Sequence, residues 1–316
     1  MPSTSEISER VAHESDRRRR LSVPAFAGGV LYLLSGIIIS ATLNGAPTVG
    51  LLQGIEPALS GVANPAVSPR AAEVRFIGHH ALPLIAGSVL AGIAIGGLTL
   101  VLLLLIDATR FRRPQSWSAT RPLVLFGGVA VAVVSIAHQV LSAILTHHFI
   151  VGHDFSGHAV ELALTKGSAN VISDYLDLLA GLTLAAGMIG TMVGAMRVGL
   201  LTRWVGVLGI FTGVLIFLPI GGATLEVVPA FWMVAMGMLY AERWPNGDPP
   251  AWTSGEARPW PTRADQRAAA QAGEGGALAV AGADVAPAPA QPVSGGSSRK
   301  RRRKRGARSG EGQRPE

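Results

Sequence analysis

Long apolar runs limit the fold of this chain more than any other feature. Segments near 24–44, 81–106, 122–146 and 171–195 each contain 18 residues or more with few or no charged side chains, which is the length that a helix needs to cross about 30 Å of hydrocarbon. Backbone N–H and C=O groups find no partners in lipid, so segments of this kind fold as helices. The runs predict an all-α integral membrane protein.

Two further apolar runs lie near 204–221 and 223–241, which brings the predicted number of spans to six and the transmembrane domain to residues 23–241. The stretch GGATLEVVP (221–229) interrupts these two runs, and Pro229 fits the first turn of a new helix. A re-entrant hairpin is the alternative for this region. Charged residues make up only 15% of the chain, whereas soluble proteins carry about 25%.

Basic residues are concentrated on one side of the predicted spans. Between spans, the outer side holds only Arg70, Arg75 and Lys166, and the remaining Lys and Arg fall on the other side. Because Lys and Arg are enriched in cytoplasmic loops, we expect a multi-pass protein of the plasma (inner) membrane with both termini in the cytoplasm. The first span is expected to be a retained anchor, because it is longer than the apolar core of a signal peptide.

The flanking segments differ in composition from the spans. Residues 1–22 and 262–316 are predicted to be disordered and cytoplasmic, because they have little apolar surface to offset the entropy of ordering. The Pro- and Trp-rich residues 242–261 are expected to lie along the membrane surface or to pack on the helix ends. A basic run in the tail is expected to contact anionic lipid headgroups, and no specific nucleic acid is expected. The run consists of Arg299, Lys300, Arg301, Arg302, Arg303, Lys304 and Arg305.

The sequence after the last predicted span contains a distinctive motif. AFWMVAMGMLYAERWPNGDPPAWTSGEARPWP (230–261) is similar to the end of a group of actinobacterial multi-pass membrane proteins that share an RWPxGxPPAWxxGxAxPWP-like segment. The matching residues are Arg243, Trp244, Pro245, Gly247, Pro249, Pro250, Ala251, Trp252, Gly255, Pro259, Trp260 and Pro261. The resemblance implies a membrane location and an actinobacterial source, and it carries no site residue.

Polar residues inside the spans are the strongest candidates for function. His138 and Ser142 lie on one face of the third span, and Asp174 and Asp177 share a face of the fourth through their i, i+3 spacing. The helix rise places His138 and the two aspartates at similar depth. Ionisable residues within spans usually face a bundle interior or an aqueous cavity. The predicted buried polar site consists of His138, Ser142, Asp174, Asp177 and Glu226.

The histidine-rich stretch HHFIVGHDFSGH (147–158) is predicted to form the outer loop above this site. Three interpretations are open. Zn²⁺ or another divalent cation would bind imidazole and carboxylate ligands. Alternatively, the histidines respond to protons, or they are solvated loop residues while Glu226 caps its helix. The candidate metal ligands are His138, His147, His148, His153, His158 and Asp154.

No sequence pattern assigns catalysis. The chain has no cysteine, which excludes thiolate chemistry, and the Walker A, GxSxG and HExxH motifs are absent. Catalytic residues stay unassigned and no cofactor is expected. We therefore expect a non-enzymatic structural or interaction protein, and the alternative is a small transporter or membrane enzyme with an outer-face His/Asp site. The oligomeric state is left open.

Overall fold

The computed structural model describes residues 4–50, 59, 61, 67–217, 223–245 and 247–259. Within these residues every regular element is helical. The tail, including the basic run 299–305, lies outside the described residues, as does the predicted disorder of 262–316. The helices are α1 (Thr4–Leu43), α2 (Ala71–His79), α3 (Ala81–Arg112), α4 (Thr120–Gly152), α5 (Gly157–Glu161, followed by a π-helical turn at Leu162–Lys166), α6 (Ser168–Val198), α7 (Arg203–Phe217), α8 (Ala223–Tyr240) and α9 (Pro250–Ser254).

Four helical stretches among the described residues are long and apolar enough to cross a membrane. They cover Ser5–Leu43, Ala81–Arg112, Thr120–Gly152 and Gly157–Val198, and they contain the first four predicted spans to within one residue at the end of the first. The all-α prediction is thus confirmed. Helices α7 and α8 are apolar but shorter. Of the stretch 221–229, for which the hairpin is the alternative, residues 223–229 belong to α8 and residues 221 and 222 lie outside the described residues.

Helix α3 is the central helix of the bundle. It packs against α1 and against α4. Helix α6 packs against α4, and α8 packs against α1. Helix α7 completes the bundle through its contacts with α6 and α8. Leu98, Leu102 and Leu105 of α3 are fully buried, whereas Phe126 of α4 and Leu179 of α6 point outwards. Apolar side chains on both the inner and outer surfaces are what lipid contact requires.

Helices α4 and α6 cross at two glycines. A Cβ atom on Gly127 would lie 2.5 Å from the backbone nitrogen of Leu184, and one on Gly187 would lie 2.8 Å from the backbone nitrogen of Val124. Small residues at such points let two membrane helices approach closely. This crossing holds the polar residues of α4 and α6 against each other.

We expect Gly127→Ala to lower the free energy of unfolding by about 1–3 kcal/mol, because the added methyl group forces apart the two backbones. The matched control is Gly96→Ala in α3, where a Cβ atom would meet nothing within 4 Å and the better helix former is tolerated. Unfolding in detergent micelles, followed by circular dichroism, measures both variants. Equal stability of the two would contradict the close crossing.

The N-terminal segment departs from its prediction. Residues 1–22 were expected to be disordered, but α1 is helical from Thr4 onwards. The reason is that Glu14 and Arg18 are buried and paired with residues far along the chain, and that Ile7 and Val11 lie against Gly255. Residues that are distant in the sequence therefore order this segment.

The segment after α8 packs on the helix ends, which is one of its two predicted placements. The backbone N–H of Arg258 donates to the carbonyl of Val198 at 3.0 Å, and the indole N–H of Trp252 donates to the carbonyl of Leu200 at 2.9 Å. The start of α1 and the end of α3 meet the same segment. We call this end of the bundle the basic end.

Candidate functional site

A polar cluster forms where α4 faces the start of α6, and we define it as His138, Ser173, Asp174 and Asp177. The imidazole Nδ1 of His138 lies 3.0 Å from the hydroxyl of Ser173. It lies 3.8 Å from Oδ1 of Asp174 and 3.9 Å from Oδ2 of Asp177. The predicted meeting of His138 with both aspartates is present in the structure, and Ser173 is an additional member.

Two predicted members of the site lie elsewhere. Ser142 is one turn further along α4, and in the described part of the chain no hydrogen bond joins its side chain to the cluster. Glu226 lies in the first turn of α8, and its carboxylate contacts Gly36 of α1. The prediction that Glu226 shares a site with His138 is therefore wrong, because α8 packs along α1 and α4 packs along α6.

The cluster faces outwards from the bundle instead of into it. The side chains of His138, Asp174 and Asp177 are 34%, 65% and 39% exposed, which corrects the prediction of a buried site. Asp177 precedes Arg197 by 20 residues on α6, a rise of about 30 Å. The cluster and the basic end are therefore separated along α6 by about the thickness of a hydrocarbon layer.

The charge of the cluster is unbalanced. Two carboxylates face one imidazole, and among the described residues His138 is the one basic side chain within 4 Å of either aspartate. Imidazole changes its charge between about pH 5 and 8, and a neutral imidazole leaves the two carboxylates uncompensated. The arrangement can accept a proton or attract a cation.

The histidine-rich stretch is only partly a loop. Helix α4 continues through Gly152, so His147 and His148 are exposed helical residues. His153 has a left-handed backbone (φ 53°) at the end of α4, and His158 lies in α5. The Asp154 carboxylate accepts a hydrogen bond from the backbone N–H of Ser156, and this bond lowers the pKa of Asp154.

The predicted metal ligands are not assembled. The described residues contain no group of three or more His, Asp or Glu side chains that could hold a metal ion. His138 lies within 4 Å of both aspartates of the cluster, but the histidines of 147–158 are not part of it. The structure thus separates the candidate ligands into the polar cluster and an outer set.

A second group of charged side chains at the basic end is buried, and sequence reasoning missed it. We define the charged layer as Glu14, Arg18, Arg112 and Asp248. Arg112 bonds Glu14 at 2.9 Å, with its side chain 0% exposed. Arg18 bonds Asp248 at 2.8 Å. The layer joins α1, the end of α3 and the segment after α8.

Aromatic and further polar contacts surround the charged layer. The guanidinium carbons of Arg18 and Arg112 lie 4.3 and 5.4 Å from the ring centre of Trp252, within the range of cation–π attraction. Hydrogen bonds from Ser15 and Arg19 lower the pKa of Glu242. Its carboxylate therefore contributes stability above the ordinary glutamate pKa, and that stability is lost as the pH falls through the lowered value.

Comparison with known proteins returns no match: no family model matches the sequence, and no curated protein or solved structure matches it.

Proposed function

We propose that the chain is a six-span protein of the plasma membrane, with both termini in the cytoplasm, that acts by binding other membrane components and not by catalysis. Helices α7 and α8 supply the fifth and sixth spans. The support for this orientation is that the basic flanks of α1, α3 and α4 gather at one end of the bundle, as cytoplasmic loops do. The likeness of residues 230–261 to actinobacterial membrane proteins favours the same assignment.

The polar cluster is proposed as the contact through which the protein responds to the proton concentration outside the cell. The observation that carries this proposal is the position of His138 within 4 Å of two carboxylates on an outward face. Ionisable groups near lipid are costly and usually functional. A partner helix that approaches this face meets two uncompensated carboxylates when the imidazole is neutral, and one when the imidazole is protonated.

The cluster is expected to stabilise the protein at low pH. An imidazolium at His138 attracts both aspartates, whereas a neutral imidazole does not. We expect about 0.2–1 kcal/mol for each partly exposed pair. Unfolding in nanodiscs at pH 5.5 and pH 8 should show this gain in the wild type and not in His138→Gln.

The control for this measurement is His147→Gln, which removes an exposed histidine of the same helix outside the cluster and should leave the pH dependence unchanged. A pH dependence that survives in His138→Gln would overturn the proposed role of His138. Asp174→Asn with Asp177→Asn should abolish the gain as fully as His138→Gln does.

Binding to a membrane partner is tested by cross-linking in intact membranes. Tyr175 is 68% exposed beside the cluster, so a photoreactive side chain at position 175 reports what covers this face. A protein adduct that depends on pH and disappears with His138→Gln supports the proposal. Adducts with lipid alone, at both pH values and in both proteins, would contradict it.

The second candidate is a cation-linked transporter or membrane enzyme, favoured by the three ionisable groups that meet in the cluster. Because the described side chains do not form a group of three that could hold a metal ion, this candidate requires Zn²⁺ to bind the purified protein at one equivalent and to lose affinity with Asp174→Asn. The basic run Arg299–Arg305 is proposed to contact anionic lipid at the cytoplasmic face.

A further inference from the structure

A cavity of about 490 Å³ lies at the basic end, between the end of α3, the connection that follows it and the second half of α6. This volume falls in the range of about 300–1,000 Å³ typical of small-molecule sites. It is separate from the polar cluster, since Arg197 lines it and Asp177 lies 20 residues away along α6. The cavity therefore needs its own explanation.

The lining of the cavity is apolar on one side and cationic on the other. Ile106, Ile189 and Val193 supply hydrocarbon, while Arg113 and Arg197 supply two guanidinium groups. Among the described residues, neither arginine makes an ion pair within 4 Å, although Arg17, Arg18, Arg19, Arg112 and Arg121 at the same end all do. Two guanidinium groups on one cavity are suited to a phosphate or carboxylate group.

One hydroxyl in the lining lacks a partner. The Ser116 Oγ atom is buried and accepts or donates no hydrogen bond among the described residues. The hydroxyls of Thr109, Thr120 and Thr191, which line the same cavity, all donate to backbone carbonyls. A buried polar group without a partner is costly, and an oxygen atom of a bound anion would satisfy it.

Glycines of α6 let the opposite wall of the cavity approach this helix closely. A Cβ atom on Gly190 would lie 2.8 Å from the ring of Trp117 and from the methyl group of Thr120. A Cβ atom on Gly194 would lie 3.3 Å from the methyl group of Thr109. The indole of Trp117 is 56% exposed, as is typical of aromatic residues at the level of the headgroups.

We propose that this cavity binds an anionic phospholipid of the cytoplasmic leaflet. Its phosphate lies between Arg113 and Arg197 and accepts a hydrogen bond from Ser116, and its acyl chain follows Ile106, Ile189 and Val193. The proposal uses the orientation given above, in which the basic end faces the cytoplasm. It does not depend on the polar cluster, so a result that contradicts the proposal for one site leaves the proposal for the other unaffected.

The experiment is native mass spectrometry of the full chain released from detergent with phosphatidylglycerol or with phosphatidylcholine of the same acyl chains. We expect the wild type to retain phosphatidylglycerol, and Arg113→Gln with Arg197→Gln to weaken this retention about tenfold or more, because charge-assisted hydrogen bonds to phosphate are lost. The matched control is Arg203→Gln with Arg243→Gln, which removes the same charge from the same end outside the cavity. Lipid held by the basic tail contributes equally to all these proteins.

A cavity-filling variant distinguishes the contribution of the acyl chain to binding from that of the headgroup. Gly194→Leu keeps both arginines and places hydrocarbon in the cavity, so it should reduce retention of phosphatidylglycerol without changing net charge. The cavity could also bind free phosphate instead of a lipid headgroup. Inorganic phosphate at millimolar concentration tests this alternative and should not displace the lipid. Equal losses in the cavity and control double variants would overturn the proposal. Displacement by inorganic phosphate together with full retention in Gly194→Leu would also overturn it.

Discussion

Replacement of Arg112 by alanine is expected to lower the free energy of unfolding by about 3–5 kcal/mol, because it leaves the buried carboxylate of Glu14 without its partner. The Arg112 side chain is 0% exposed and that of Glu14 is 5% exposed. Arg112 also donates to the backbone carbonyls of Ala108 and Ala251, so two partly buried hydrogen bonds are lost as well. Unfolding by denaturant in detergent micelles measures the loss.

Two further variants make this prediction specific. Arg70→Ala breaks an exposed pair with Glu73 and should cost at most about 1 kcal/mol. Glu14→Leu combined with Arg112→Met removes both buried charges and should be more stable than Arg112→Ala alone, since no charge is left uncompensated. A double variant less stable than Arg112→Ala would show that the pair itself, and not the burial of a lone charge, sets the cost.

The charged layer explains why the basic end of the protein is folded. Arg18 bonds Asp248 across 230 positions of sequence, and its guanidinium also donates to the carbonyl of Leu239. Arg112 bonds Glu14 across 98 positions. These contacts fasten the first turns of α1 and the segment after α8 to the end of α3, which also forms one wall of the cavity lined by Arg113.

The helices could be predicted from the sequence because a membrane span is a local property of about 20 residues. The order of the N-terminal segment could not. Arg17 to Arg20 form a charged run that is typical of a solvated flank, and only the distant residues Asp107, Asp248 and Glu242 make it a packed helix end. The spacing of Arg10 and Glu14 at i, i+4 is the local signal that indicates a helix there.

The candidate site was predictable in part for the same reason. Spacing along a helix places His138, Asp174 and Asp177 at one depth, and the structure brings them together. Which face of a helix turns inwards depends on the helices that pack against it. Here α3 takes the opposite side of α4, so the cluster is left facing outwards, and Glu226 is carried to α1 by α8.

Trp252 is the residue on which the segment after α8 depends most. Its side chain is 3% exposed, it contacts both arginines of the charged layer, and its ring packs edge-on against Tyr240 at 6.2 Å between centres. Trp252→Ala removes all of these contacts and leaves a cavity, so we expect a loss of about 3–5 kcal/mol in the free energy of unfolding.

The loss should be accompanied by release of the N-terminal part of α1. Arg18 and Arg112 lose the ring between them, and limited trypsin digestion should then cut after Arg17 to Arg20 faster than in the wild type. Trp252→Phe keeps most of the side-chain volume but loses the hydrogen bond to the Leu200 carbonyl. Its stability and its rate of digestion should lie between those of the wild type and those of Trp252→Ala. The control is Trp204→Ala, which removes an indole that is 63% exposed. It should change both stability and digestion less than Trp252→Ala does. If Trp204→Ala matched Trp252→Ala in both measurements, the segment after α8 would not be what holds α1 in place.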